Sequence, residues 1–172
     1  MTFAFGHLAG AWAAGKLYEY FSQQQISYYS WFFLLFGGIL PDADLVVDWI
    51  FGLRKHRHVT HSLLFLLGAP AAVYLGFTLL GSPESASYAF FLGLGIFMHL
   101  FLDAFSKYGV ALLWPKLWYF SFFSGISKTR PETTFLSRSR EELQYILKLA
   151  VIDMAIGTIW IFYLWFSKGI QF

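Results

Sequence analysis

From Ser62 to Leu80 the chain carries no charged residue. An α-helix needs about 20 consecutive apolar residues to cross the hydrocarbon core of a bilayer, and this run has that length. Further apolar stretches accompany it. Ser87–Ser106 is interrupted by His99 and Asp103, Leu149–Phe166 carries Asp153, and Phe3–Phe21 holds His7, Lys16 and Glu19. Tyr28–Leu40 is apolar but short, and runs into Gly37, Gly38 and then Pro41. Charged residues make up 13% of the 172-residue chain, about half the roughly 25% of a soluble domain. With 58% hydrophobic residues, and 21 Phe, 10 Tyr and 7 Trp, there is too little polar surface to coat a protein in water. The expected fold is an all-α polytopic membrane bundle, with four to five transmembrane helices plus short interfacial helices. Leu45–Leu53, as an interfacial or re-entrant helix, and the aromatic segment Val110–Ile126, lying along the membrane surface, are the candidates for the shorter elements. The net charge of +2 makes no electrostatic footprint for nucleic acid, and no nucleic-acid binding is expected. The chain has no cysteine, which excludes disulfides, thiolate metal sites and cysteine nucleophiles.

The Lys/Arg bias orients the spans. Arg54, Lys55 and Arg57 crowd the connection before the 62–80 run, and 107–144 carries Lys107, Lys116, Lys128, Arg130, Arg138 and Arg140. The turns 22–29 and 81–86 carry no Lys or Arg. The first two segments are therefore cytoplasmic and the turns lie outside. No basic region precedes the first apolar run, so a cleavable signal peptide fits poorly. Residues 1–126 are read as the core, 127–144 as a polar cytoplasmic linker, and 145–172 as a C-terminal transmembrane helix.

Ionisable groups within membrane segments are costly and are functional candidates by default. Here they gather. His7 opens the first helix, and Asp42 and Asp44 follow the Gly-Gly break. His56, His58 and His61 precede the 62–80 helix, while His99 and Asp103 share the 87–106 run. The topology places all four segments near the cytoplasmic interface. The loop charges that set it are different residues, so the convergence is independent of the orientation argument. His99 and Asp103 at i, i+4 share one helix face. Asp42 and Asp44 sit where irregular backbone must line a cavity or be buried in protein. Three or more His with two or three Asp suit Zn²⁺ or Mn²⁺, one or two ions. Such a site activates water and clamps phosphoryl oxygens.

The order His7 … Pro41-Asp42-x-Asp44 … His56-Arg57-x-x-Thr60-His61-Ser62 … His99-x-x-x-Asp103 … Tyr108-Gly109-Val110 … Pro115 resembles the YdjM family. That family is described as LexA-regulated, membrane-bound, metal-dependent hydrolases of bacterial and archaeal inner membranes. It is distantly similar to the zinc-dependent phospholipase C and P1 nuclease group. The resemblance implies an inner-membrane, multi-pass hydrolase with His7, Asp44, His61, His99 and Asp103 as the ligand core. Asp42 and His56 are further metal candidates, and Asp44, His61, Asp103 and Arg57 are the catalytic candidates. The chain lacks the additional downstream His and Glu ligands of the soluble relatives.

Plainer roles stand beside these. His58 suits a helix–helix hydrogen bond, and His7 could sit in the interface near a terminus. Asp42 could be a turn or cap residue, leaving Asp44 as the ligand. Asp48 suits the interface, Asp153 has no assigned role, and the Arg54–Arg57 run is partly a topology signal. Arg57 beside the ligands can hold a phosphate through two parallel hydrogen bonds. The leading function is a metal-dependent hydrolase acting on a phosphoester, such as a phospholipid of the surrounding bilayer. The alternative is a metal-ion or proton transporter or binding protein, which places its site nearer the midplane and often between repeats. A bis-His haem protein and an adaptor with a structural metal are further readings. No repeat, no Gly-x-Ser-x-Gly elbow and no Walker-type loop occurs in the sequence.

Overall fold

The computed structural model of the chain describes residues 4–44, 50, 59–105, 109–116, 118–123, 125–127, 148, 151–152, 154–163 and 166. The expectations for Asp48, Arg54, Lys55, His56, Arg57, His58 and Asp153 fall outside these residues, as do those for the linker beyond residue 127.

The fold is mostly helical, with helices α1 (Ala4–Ser22), α2 (Tyr28–Ile39), α3 (Leu63–Leu79) and α4 (Ser85–Ala104). A further apolar helix, α5, runs over Met154–Tyr163. Local chemistry sets the boundaries. Ser27 caps α2, its hydroxyl accepting from the Ser30 N–H. Ser62 caps α3 in the same way through the Phe65 N–H, at 3.3 Å. Such caps satisfy amides that have no partner within the helix. Pro41 turns the end of α2 into a 3-10 turn over Leu40–Ala43.

The core lies between α1, α2 and α4. Leu8 and Ala11 of α1 meet Trp31, Leu34, Leu35 and Ile39 of α2 and Phe91 of α4, with Ile161 of α5 completing the cluster. α2 and α4 approach at their glycines. A Cβ on Gly95 would overlap the Leu34 carbonyl oxygen, and one on Gly37 would overlap that of Leu92. Small residues at a crossing let two backbones pack directly. This crossing brings His99, one turn beyond Gly95, against the C-terminal end of α2. α3 has no buried residue. It rests on α4 through Phe65, Leu66, Ala69 and Val73. Leu67, Leu75 and Leu79 on its other side are exposed, where a water-facing helix would carry polar groups.

Two expectations are revised. Among the described residues one helix, Ser85–Ala104, is long and apolar enough to cross a membrane; Leu63–Leu79 and Met154–Tyr163 are apolar but shorter. The twelve residues of α2 reach only about 18 Å at 1.5 Å per residue, against a hydrocarbon core about 30 Å thick. The count of four to five spans is therefore not reached by helix length. Second, part of the segment 110–127 is β-structure where an interfacial helix was expected. β1 (Tyr119–Ser121) and β2 (Gly125–Ser127) pair antiparallel, with Phe120 opposite Ile126. Val110 bridges Phe120 through two backbone hydrogen bonds of 2.9 Å. Gly109, at φ +63°, permits that approach: a Cβ there would overlap the Phe120 carbonyl oxygen and strain the backbone. The aromatic residues of this segment, which suit strands as well as membrane surfaces, take the hairpin.

Candidate metal centre

Four separate segments bring titratable side chains to the same end of the helices. His7 lies in the first turn of α1, and Asp42 in the 3-10 turn that follows α2. His61 immediately precedes the Ser62 cap of α3. His99 and Asp103 lie in the last turns of α4. His7, His61, His99 and Asp103 are fully buried and Asp42 nearly so. Ser62 holds His61 in place from both sides of its own cap: its hydroxyl donates to the Val59 carbonyl at 2.6 Å, and its N–H to the same oxygen at 3.2 Å.

Asp42, His61, His99 and Asp103 each offer an atom, all within 4.8 Å of one another. His61 Nε2 is 3.4 Å from Asp42 Oδ1 and 3.5 Å from Asp103 Oδ2. His99 Nε2 is 3.5 Å from Asp42 Oδ1 and 3.2 Å from His61 Nε2. Metal–ligand bonds of 2.0–2.2 Å in a tetrahedron put the ligand atoms about 3.3–3.6 Å apart. The four contacts of 3.2–3.5 Å lie at or near that edge.

The hydrogen bonds fix which ring nitrogens are available. His99 Nδ1 lies 2.8 Å from the Gly38 carbonyl oxygen. A carbonyl only accepts, so Nδ1 donates and the neutral ring is left with a bare Nε2. Thr60 donates its hydroxyl proton to Asp44 Oδ2 at 2.6 Å. Its oxygen is 3.0 Å from His61 Nδ1, so that nitrogen donates, and Nε2 of the neutral His61 ring is bare as well. Two bare nitrogens and two carboxylates then face one point, and acceptors at this spacing repel unless a cation or a proton lies among them. Metal-binding histidines are held this way, with the outer nitrogen hydrogen-bonded. The donor set therefore fits a divalent cation. The 3.2 Å between the two Nε2 atoms leaves no room for a porphyrin between these two rings.

The charges respond accordingly. Burial opposes protonation of His61, but the carboxylates of Asp103 and Asp42 outweigh it and raise its pKa to about 9. Burial opposes the charge on Asp42, but the His61 and His99 rings facing its carboxylate hold it well below the usual range.

His7 stands on the opposite edge of the same carboxylates. Its ring stacks on His99 with centroids 3.8 Å apart, and Nε2 is 3.6 Å from Asp103 Oδ1 and 4.0 Å from Asp42 Oδ2. Neither ring nitrogen of His7 makes a hydrogen bond among the described residues. Of the sequence candidates, the structure thus brings together His7, Asp42, His61, His99 and Asp103. Asp44 lies behind His61, 3.7 Å from Nδ1. His56 and Arg57 lie outside the described residues. Thr60 and the Gly38 carbonyl are partners that sequence reasoning missed. Thr60 was legible only as a hydroxyl beside a histidine, and a backbone carbonyl leaves no trace in a sequence.

A helical protein with a spanning-length apolar helix and a buried His/Asp centre fit for a cation is the class that fold and site define. The family model for the YdjM inner membrane protein matches residues 1–169, and the chain belongs to that family. No curated protein and no solved structure matches the chain.

Proposed function

We propose that this chain is a multi-pass inner-membrane hydrolase that uses one or two Zn²⁺ or Mn²⁺ ions and acts on a phosphoester, with a phospholipid of the surrounding leaflet as the favoured substrate. One observation carries the metal-binding part of the reading: Asp42, His61, His99 and Asp103, from three segments, each place an atom within 4.8 Å of the others, and the outer nitrogen of each imidazole is hydrogen-bonded away from the cluster. A divalent ion held by three of these residues, or taking a fifth ligand, would supply Lewis acidity and lower the pKa of a bound water.

The residues themselves do the rest. Asp42 and Asp103 would balance the ion's charge, while His61 and His99 would hold it through Nε2, their rings being fixed at Nδ1 by Thr60 and the Gly38 carbonyl. His7 faces the second oxygens of both carboxylates, so His7, Asp42 and Asp103 are the residues that would hold a second ion. Arg57 is assigned the phosphate from its sequence position.

The membrane placement follows from surface chemistry. α3 and α5 are too short to cross by length alone, yet Leu67, Leu79, Ile159 and Tyr163 are exposed on them, which supports lipid contact and several passes. On the hairpin, Phe122, Phe123 and Ile126 point outward, and Phe122 stacks on Phe105 with centroids 4.5 Å apart. Its edge backbone groups need water or headgroups, so we place it at the inner interface, beside the centre. That depth, at one end of the helices, favours an enzyme on headgroups over a transporter with a site at the midplane.

The test is elemental analysis of protein purified without chelator, beside the His99→Ala/Asp103→Ala variant. One or two equivalents of Zn or Mn in the wild type, absent from the variant, are expected. Asp103→Asn should then abolish turnover across a panel of phospholipids and phosphomonoesters. No metal in the wild type, and none acquired on titration, overturns the reading and leaves the proton pathway.

A further inference from the structure

Asp42 and Asp44 are two residues apart, yet they meet His61 at opposite nitrogens. Asp42 Oδ1 is 3.4 Å from Nε2, and Asp44 Oδ2 is 3.7 Å from Nδ1. The lone-pair directions of the two ring nitrogens diverge, so a carboxylate at Nδ1 stands behind the ring that faces the ion. Between Asp44 and the ring lies Thr60, donating to Asp44 at 2.6 Å and lying 3.0 Å from Nδ1. The turn over 59–62 is locked by Ser62, whose N–H and hydroxyl both reach the Val59 carbonyl. Thr60 is therefore held where its hydroxyl can join the two.

We propose that Asp44 is no metal ligand, and that Asp44 and Thr60 are positioning residues that act through His61. The chain runs from the Asp44 carboxylate to the Thr60 hydroxyl to His61 Nδ1–H, and it fixes the tautomer and ring plane that aim Nε2 at the ion. This assignment rests on the metal reading above and reverses the role of Asp44 that the family resemblance implies. His99 is held equivalently by the Gly38 carbonyl, a backbone group that no side-chain substitution deletes. His61 is thus the ligand whose orientation depends on replaceable side chains. Loss of such outer partners lowers metal affinity about 10–100-fold without removing the site.

The experiment uses the full chain in detergent micelles, titrated with Zn²⁺ against a competing chelator and with Co²⁺ followed by visible absorption. Thr60→Val keeps the shape and deletes the hydroxyl; it should keep the wild-type stoichiometry and bind about 10–100-fold more weakly. Thr60→Ser should restore binding to near wild type. Asp44→Asn should weaken binding as Thr60→Val does, and the double variant should be little worse than either, because the two act as one chain. The Co²⁺ ligand-field bands should keep their wild-type positions in Asp44→Asn, whose ligand set is unchanged, and shift in Asp42→Asn.

Asp44→Asn that loses the ion, or shifts the Co²⁺ bands as Asp42→Asn does, makes Asp44 a ligand and overturns the assignment. Wild-type affinity in both Thr60→Val and Asp44→Asn overturns it as well, while the metal reading stands. A wild-type protein that takes up no ion overturns both together. Should Thr60→Val fail to fold, Asp44→Asn and Thr60→Ser carry the same decision.

Discussion

Protonation of His61 and metal binding compete for the same nitrogen. The pKa of His61 is raised from 6.5 to about 9 by the carboxylates facing it. A raised folded-state pKa contributes stability that is fully present below 6.5 and is lost as pH rises through about 9. The metal-free protein should therefore lose on the order of 3 kcal/mol across that window. Metal removes the slope. An ion must displace the proton, so its affinity should rise about tenfold per pH unit up to the same pKa. Thermal unfolding between pH 6.5 and 9 should then show Tm falling with chelator present and nearly level with saturating Mn²⁺. Parallel slopes in the two series would mean that the ion does not bind at His61. At this scale much of the site was legible. The i, i+4 spacing of His99 and Asp103 predicted a shared face, and His7, Asp42 and His61 all joined them. The choice between Asp42 and Asp44 was not legible, because it depends on how the turn beginning at Pro41 aims each carboxylate.

Among the elements, the crossing of α2 and α4 controls the site from a distance. Gly95→Ala places a methyl against the Leu34 carbonyl, and backbone at that point cannot swing away as a side chain would. The helices must separate, at a cost on the order of 1–3 kcal/mol. The separation also pulls His99 from the Gly38 carbonyl, so metal affinity should fall with stability. Gly68→Ala is the control, since its Cβ meets open space. It should be neutral or stabilising by up to about 1 kcal/mol. Thermal denaturation and metal titration of the two variants decide this, and equal behaviour would remove the crossing from the account.

The hairpin supplies a second prediction at this scale. A cysteine-free chain accepts single labels, and a nitroxide at Phe123→Cys in phosphatidylethanolamine/phosphatidylglycerol liposomes should relax with oxygen far more than with an aqueous nickel chelate. The same label at the exposed polar Gln24 should show the reverse. Nickel access at residue 123 equal to that at 24 would take the hairpin out of the interface. The helices themselves were readable from apolar runs, and their ends fall within a few residues of those runs. The hairpin was not, because aromatic residues suit a membrane surface and a strand alike. What decides is the close approach of Gly109 to Phe120, a long-range contact.

For the whole molecule, the tension lies between helix length and surface chemistry. One described helix passes the spanning criterion, yet apolar side chains are exposed on α1, α3, α4 and the hairpin alike. α1 fails by polarity, and its polar groups are largely satisfied within the protein. Lys16 Nζ pairs with Glu19 Oε2 at 3.0 Å, and Glu19 Oε1 accepts from the Ile26 N–H and the Trp31 indole. Paired charges cost far less in a membrane than isolated ones. At 1.5 Å per residue, the 19 residues of α1 reach about 28 Å and the 17 of α3 about 26 Å. Both lie within what local thinning of the bilayer accommodates. The short α2 is flanked by α1 and α4, so it needs lipid contact least. This arrangement predicts that the two Lys/Arg-free turns share one side, opposite the metal centre. In intact cells, Gln24→Cys and Pro83→Cys should react with a membrane-impermeant maleimide added from outside. Lys116→Cys, beyond the centre's end of α4, should react only after the membrane is opened. Labelling of residue 116 from outside would invert the protein and move the centre to the outer leaflet. Labelling of 24 and 83 from opposite sides would mean that the chain crosses the membrane an odd number of times between them, against the α2–α4 pairing described here.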